Sequence, residues 1–280
     1  MRRTRGSADI RIALLDGPVD RGHRYLQGAD IVPARRVPHE SVSAITAAHG
    51  TFLAGLLVGQ DRSSSPSICP ECTLVVRPIY GEGGSRHPRA TPDELADALV
   101  EAVDAGARLI QVSAAIGRPS LVESRELTSA FDDARSRGVI VVAATGNNGS
   151  LGTSMITRDA AVLPVTGCDL ALRPLRSSTT APSIGRRGLA APATQVRSLA
   201  PGDGTALMGG TSVAAGLVVG ALALLWSARP QARRDELLGA IREWRTSGPH
   251  LFPPPLHAER AWAALCRRPI GAESLAGDHR

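Results

Sequence analysis

Aromatic residues are scarce in this chain of 280 residues, at only 3% of the composition. The core must therefore come from Leu, Val, Ile and Ala, which suits strand–helix packing and excludes an aromatic platform for single-stranded nucleic acid or glycan. Cysteine is also rare, at positions 69, 72, 168 and 266. Cys69-Pro70-Glu71-Cys72 has the spacing of half a zinc site, but no second close pair accompanies it and His87 falls in a loop-like stretch. Reduced thiols are expected there, in an exposed turn before a buried strand, rather than zinc or a local disulfide. A long apolar run is missing too: the longest, residues 213–226, is shorter than the ~20 residues that cross a bilayer. The basic residues through Arg5 run directly into an apolar strand pattern, without a separate apolar segment and cleavage site. These absences predict a soluble, cytoplasmic protein with no membrane partner.

What is present is a 43% apolar chain with Gly and Pro spread along it, as in a compact enzyme domain rather than a disordered one. The net charge is +6. Arginine supplies it and is scattered, with pairs at Arg186–Arg187 in an expected loop, Arg233–Arg234 on an expected helix and Arg267–Arg268 near the end. No zinc finger, helix-turn-helix or single-strand-binding pattern goes with this charge, so no nucleic-acid partner is expected.

Short apolar runs at residues 10–15, 74–79, 109–112, 139–144 and 162–165 read as buried parallel strands, with helical patterns between them. Thr91-Pro92-Asp93-Glu94 is a capping-box start, followed by Leu95, Ala98, Leu99 and Val103 at helical spacing, with Gly106 as the stop. Residues 121–137 repeat the pattern through Leu127, Ala130, Phe131 and Ala134, ending at Gly138. Strand and helix alternating at this spacing predict an α/β fold with a doubly wound, mainly parallel sheet. The polar stretches 60–67, 81–91, 146–153 and 176–187 read as loops. A single domain over residues 1–270 is expected, with 271–280 as a flexible tail.

Four polar residues stand at addresses suited to chemistry. Asp16 ends the first apolar strand, where open α/β sheets place catalytic groups; alone, it reads equally as a loop-capping or metal-binding carboxylate. His49, in Ala48-His49-Gly50-Thr51, is expected near the start of a buried helix, whose N-terminus would hold the imidazole neutral; alone, it reads equally as a core histidine. Ser212 follows Met208-Gly209-Gly210-Thr211 and opens the long apolar helix, where free N–H groups face developing negative charge. Ser212 or Thr211 could also be a simple N-cap. Asn147, in Ala144-Thr145-Gly146-Asn147-Asn148-Gly149, offers a neutral amide donor, although Asn-Asn-Gly alone is a common turn.

Taken in order, the four segments resemble the Asp, His, oxyanion-Asn and Ser blocks of the subtilisin-like serine peptidase family. Asp20-Arg21-Gly22-His23, Leu189-Ala190-Ala191-Pro192-Ala193, Pro201-Gly202 and residues 258–265 extend the likeness. Within that family, Leu15-Asp16-Gly17-Pro18-Val19-Asp20, the segment 72–79 and residues 143–149 are most similar to the cyanobactin-type proteases that mature ribosomally made peptides. The resemblance implies a three-layer fold and a serine endopeptidase in which Asp16 orients His49, His49 activates Ser212 and Asn147 holds the oxyanion. It implies substrate contacts along Ser113, Ala114 and Ala115, and at Gly146 and Thr211. The partner it implies is a precursor peptide or protein substrate. No metal or other cofactor is expected, since no acidic cluster specifies a calcium site.

Some residues depart from the family's pattern. Ala115 stands where Gly is frequent, Phe52 where a second histidine or small polar residue is common, and Ala193 where Gly follows Pro192. Val213-Ala214-Ala215-Gly216 lacks the usual proline after the nucleophile. These departures point to a selective enzyme, and they support one rival reading: an inactive pseudo-peptidase that binds a peptide or protein without cutting it.

Overall fold

A computed structural model describes residues 4–34, 43–60, 66–80, 90–113, 124–243 and 250–267. The chain enters through strand β1 (Arg11–Asp16) and the short β2 (Ile31–Pro33), then helix α1 (Ala44–Val58) and β3 (Thr73–Pro78). Helix α2 (Pro92–Asp104), β4 (Leu109–Val112), α3 (Arg125–Ser136), β5 (Ile140–Ala144), α4 (Met155–Arg158) and β6 (Val162–Cys168) follow. After α5 (Pro182–Arg187) and β7 (Leu189–Pro192), a hairpin of β8 (Val196–Ala200) and β9 (Gly204–Met208) leads into α6 (Thr211–Ala228), α7 (Arg234–Arg242) and α8 (Ala258–Arg267).

Seven strands form one sheet in the order β2-β3-β1-β4-β5-β6-β7, and every adjacent pair in it is parallel. The expected apolar runs all became strands because alternate residues are buried on both faces. Ile12, Leu14, Leu109, Ile140 and Val142 pack with α1 and α6 in one core layer. Ala13, Leu15, Ile110, Val112, Val141 and Ala143 pack with α2 and α3 in the other. This is a three-layer, doubly wound α/β fold. The chain runs from β1 outward to β3 and then returns to β4 on the other side of β1, so the strand order reverses at β1. That switch point is where such sheets open a crevice at their strand C-termini.

The helices end as their sequences specify. Thr91 accepts the Glu94 backbone N–H at the start of α2, while the Glu94 carboxylate turns instead to the buried Arg77, at 2.7 Å. Gly106 and Gly138, both at positive φ, stop α2 and α3 in the left-handed conformation that glycine adopts without steric cost. Helix α6 is apolar along its 18 residues, but most of that surface is buried within the protein, so it serves as a core helix.

Local patterns missed the elements with little periodicity: β2, β7, the β8–β9 hairpin and α5. Residues 182–187, read as loop, form α5 because Pro182 starts the helix at its first turn. Arg186 and Arg187 therefore lie in a last helical turn, and Arg187 donates to the carbonyls of Asp159 and Val162. In the Cys69–Cys72 turn Glu71 is exposed but the two cysteines are not. Both residues are 0% accessible, because Gly6 brings the N-terminal segment against the turn, where an added Cβ would meet Cys72 Sγ at 2.8 Å.

Candidate active site

Asp16 is in phase with Ile12 and Leu14, so its carboxylate faces α1. Two glycines bring the helix close enough to use it. A Cβ on Gly50 would lie 2.3 Å from the Gly17 carbonyl oxygen, and one on Gly17 would lie 2.0 Å from that of Thr46. Only hydrogen at both positions permits this main-chain approach. Its consequence is that His49 Nδ1–H donates to both oxygens of Asp16, at 2.8 and 2.9 Å. The Gly17 N–H donates to Asp16 Oδ1 as well, at 2.6 Å.

The two partners differ in access. The Asp16 side chain is 0% exposed and the His49 side chain 31%, so the carboxylate is shielded while the imidazole reaches solvent. His49 lies in the second turn of α1, which begins at Ala44, and not at its N-terminus as its sequence context suggests. Its pKa is raised above the ordinary 6.5, opposite to the expected helix-end effect. Burial of the ring disfavours the charged form, but the charge of Asp16 and its hydrogen bond together outweigh that desolvation. Because the carboxylate only accepts, the neutral ring carries its proton on Nδ1 and leaves Nε2 as a base.

Ser212 is the second residue of α6, and the N-cap is Gly210, at φ 108° and without a side-chain cap. Ser212 is therefore not an N-cap, and its hydroxyl is not committed to the helix start. Nor does Thr211 act as the cap: its hydroxyl accepts the Gly146 N–H at 3.1 Å. Two backbone carbonyls hold this turn, since Gly210 N–H donates to Ala193 at 2.8 Å and Gly210 O accepts from Val213 and Ala214.

Asn147 sits beside the same helix end. Its Oδ1 accepts the Thr211 backbone N–H at 2.9 Å, and a Cβ on Gly210 would lie 3.0 Å from Asn147 Nδ2. The turn Thr145-Gly146-Asn147 is thus bonded to α6 through both Gly146 and Asn147, which brings the expected oxyanion donor and nucleophile together. Gly146, at φ 105°, needs the left-handed conformation that lets the loop reverse there.

Ser113 lies just beyond β4 and is nearly buried. Its N–H donates to the Leu15 carbonyl at 3.3 Å, and its own carbonyl accepts from Tyr80 Oη at 3.0 Å. Burial and the nearby charge of Asp16 push the Tyr80 phenol above its usual range, so it stays protonated as a donor. Ala114 and Ala115 lie outside the described residues. Sequence reading missed Tyr80 and Gln111, which donates to Ser113 Oγ and Ser212 O. Gln111 carried one signal, as the polar residue inside an apolar strand.

The departures noted at Phe52, Ala193 and residues 213–216 are accommodated, while Ala115 lies outside the described residues. Phe52 is fully buried, and its carbonyl accepts from Ser198 Oγ at 2.7 Å. Ala193 supplies the carbonyl that holds Gly210. Without a proline, α6 continues unbroken through Gly216, where an added Cβ would lie 3.0 Å from Leu56 Cδ2.

The chain is similar to known proteins over most of its length. Among curated proteins the chain is similar to subtilisin amylosacchariticus of Bacillus subtilis subsp. amylosacchariticus, 28% identical over 231 residues, which are 80% of this chain and 57% of that protein. The chain thus spans little more than half of that relative's length. Among solved structures it is similar to the prenylagaramide maturation protease PagA, with TM-score 0.84 and 26% identity over 94% of this chain and 95% of that one. It is also similar to the patellamide maturation protease PatA, with TM-score 0.80 and 29% identity over 94% and 98% of the two chains. The model of the subtilase family, Peptidase_S8, matches residues 7–247, and the chain belongs to that family.

Proposed function

We propose that this chain is a serine endopeptidase acting through Asp16, His49 and Ser212, with Asn147 as the oxyanion donor. The observation that carries the reading is the paired hydrogen bond from His49 Nδ1 to a fully shielded Asp16. It leaves Nε2 as the only basic position of the ring. In the reaction, Nε2 takes the Ser212 hydroxyl proton as Oγ attacks the scissile carbonyl. Asn147 Nδ2 and the Ser212 N–H bind the oxyanion, and Asp16 stabilises the imidazolium that forms. His49 then returns the proton to the departing amine, and water attacking with help from the same base frees the acyl group.

The substrate we propose is a ribosomally made precursor peptide, from which the enzyme cuts a leader or recognition segment inside the cell. Support comes from the likeness to PagA and PatA, both maturation proteases.

Two measurements test the reading. An alkyl fluorophosphonate should label the wild-type chain and not Ser212→Ala. Mass spectrometry of candidate precursor peptides should then map cuts that vanish with Ser212→Ala. Folded wild-type protein that resists labelling yet binds intact peptide would replace the peptidase with a binding module.

A further inference from the structure

Gln111 is fully buried on β4, in phase with Leu109 and therefore on the face toward α6. Its Nε2 donates twice, to Ser212 O and to Ser113 Oγ, each at 3.1 Å. A main-chain carbonyl can only accept, so the orientation of the amide is settled: Nε2 faces Ser212 and Oε1 faces away. Among the described residues Oε1 has no hydrogen-bond partner, and it points at Gly216, where an added Cβ would lie 3.5 Å from it.

A buried acceptor left unmatched works against folding, and an apolar side chain of the same volume would avoid it. Gln111 is thus a poor space-filler, yet both of its donated bonds go to the candidate site. One reaches the residue bearing the nucleophile. The other reaches Ser113, which is also held at its carbonyl by Tyr80. The bonds span the boundary between the central sheet and α6, two bodies that otherwise meet through apolar side chains of one core layer, Leu109 and Ile140 with Val218, Val219 and Leu222 among them.

We propose that Gln111 is a positioning residue for acylation, keeping the Ser212 main chain in register with Ser113 at the end of β4. This rests on Ser212 being the nucleophile. Gln111 touches no reacting atom; it acts by fixing where Ser212 begins its attack, and misplacement by a fraction of an ångström is felt in the rate.

The test measures the second-order rate of labelling by an alkyl fluorophosphonate across pH, together with the thermal midpoint, for the full chain and for Gln111→Met, Ser113→Ala and Ser212→Ala. Gln111→Met should keep or raise the thermal midpoint while its plateau labelling rate falls about tenfold or more. The pH midpoint should not move, because the His49–Asp16 pair is untouched. Ser113→Ala, which removes one of the two bonds, should fall about threefold at the plateau. A folded Gln111→Met that labels within about twofold of wild type overturns the proposal, as does a shift of its pH midpoint. If Gln111→Met fails to fold, an undiminished rate in Ser113→Ala overturns it instead. No labelling of wild type overturns the serine-nucleophile reading, and this proposal with it; normal Ser212-dependent labelling in every Gln111 and Ser113 variant overturns positioning alone.

Discussion

The backbone N–H of Thr211 donates to Asn147 Oδ1 at 2.9 Å, and this one bond decides which way the Asn147 amide faces. Its oxygen is engaged by the helix start, so the NH2 group is the end of the amide left to donate, and it lies near Gly210. The same bond replaces a side-chain cap on α6, whose N-cap is a glycine.

Asn147→Asp tests that division of labour. Aspartate keeps an oxygen for the Thr211 N–H and loses the donor, so the loop should stay in place while transition-state binding weakens. The expected result is a fall in kcat of about 10²–10³ or more, with KM little changed. A variant that keeps kcat within about tenfold of wild type would remove Asn147 from the oxyanion site.

The raised pKa of His49 sets the pH profile. Only the neutral ring accepts the serine proton, so the rate should rise with pH through a midpoint above 6.5. Asp16→Asn removes the charge that raises the pKa and leaves burial, which lowers it. The midpoint should then move to more acidic pH, with a rate loss on the order of 10⁴. Stability follows the opposite sense: the folded state holds the His49 proton more tightly than the unfolded chain does. That contribution is complete below the unfolded pKa of 6.5 and is lost as pH rises through the higher folded value. A wild-type midpoint at or below 6.5, from kinetics or from proton resonances of the ring, would contradict this balance.

Gly50→Ala should damage fold and function together. Its new methyl would lie 2.3 Å from Gly17 O and 2.6 Å from Pro18 O, and main-chain atoms cannot swing aside as a side chain can. A loss of about 1–3 kcal/mol or more is expected in denaturant unfolding. Activity should fall further than the folded fraction does, because the displaced segment carries the Gly17 N–H that binds Asp16. Gly204→Ala is the control, since its methyl meets only ordinary contacts from 3.5 Å outward.

For the cysteines, acidity and access predict opposite things. A hydrogen bond with Cys69 is the largest influence on the Cys72 thiol and, against burial, brings it down to about 7, which by itself predicts fast alkylation near neutral pH. Yet Cys69, Cys72 and Cys168 are buried and only Cys266 is exposed, and a reagent must reach the sulfur before acidity matters. Maleimide should therefore modify Cys266 rapidly in the native protein, and the others only on unfolding, as peptide mapping would show. Rapid native modification of Cys72 would mean that the segment around Gly6 opens.

The strands around Leu14, Ile110 and Val142 were legible as short continuous apolar runs, buried on both faces, and α6 as a long one, while α2 and α3 showed apolar residues at helical spacing. β7, α5 and the β8–β9 hairpin were not, since their short segments depend on neighbours rather than on a pattern. The candidate site shows the same division. Sequence order placed Asp16 at a strand end, His49 within a buried helix and Ser212 near a helix start, and each had a plainer local explanation.

Sequence alone determined which residues alternate, where glycines interrupt and in what order the four polar blocks occur. Tertiary structure decided that His49 meets Asp16 and is made more basic by it, that Gly210 rather than Ser212 caps α6, that Cys69 and Cys72 are covered, and that Gln111 reaches across to Ser212. These bonds join residues 33, 64 and 101 positions apart. A local pattern records period and propensity. Whether two distant groups come within hydrogen-bond reach depends on how closely their backbones pack, and here that was set by glycines whose missing side chains let α1 and the turn after β1 touch.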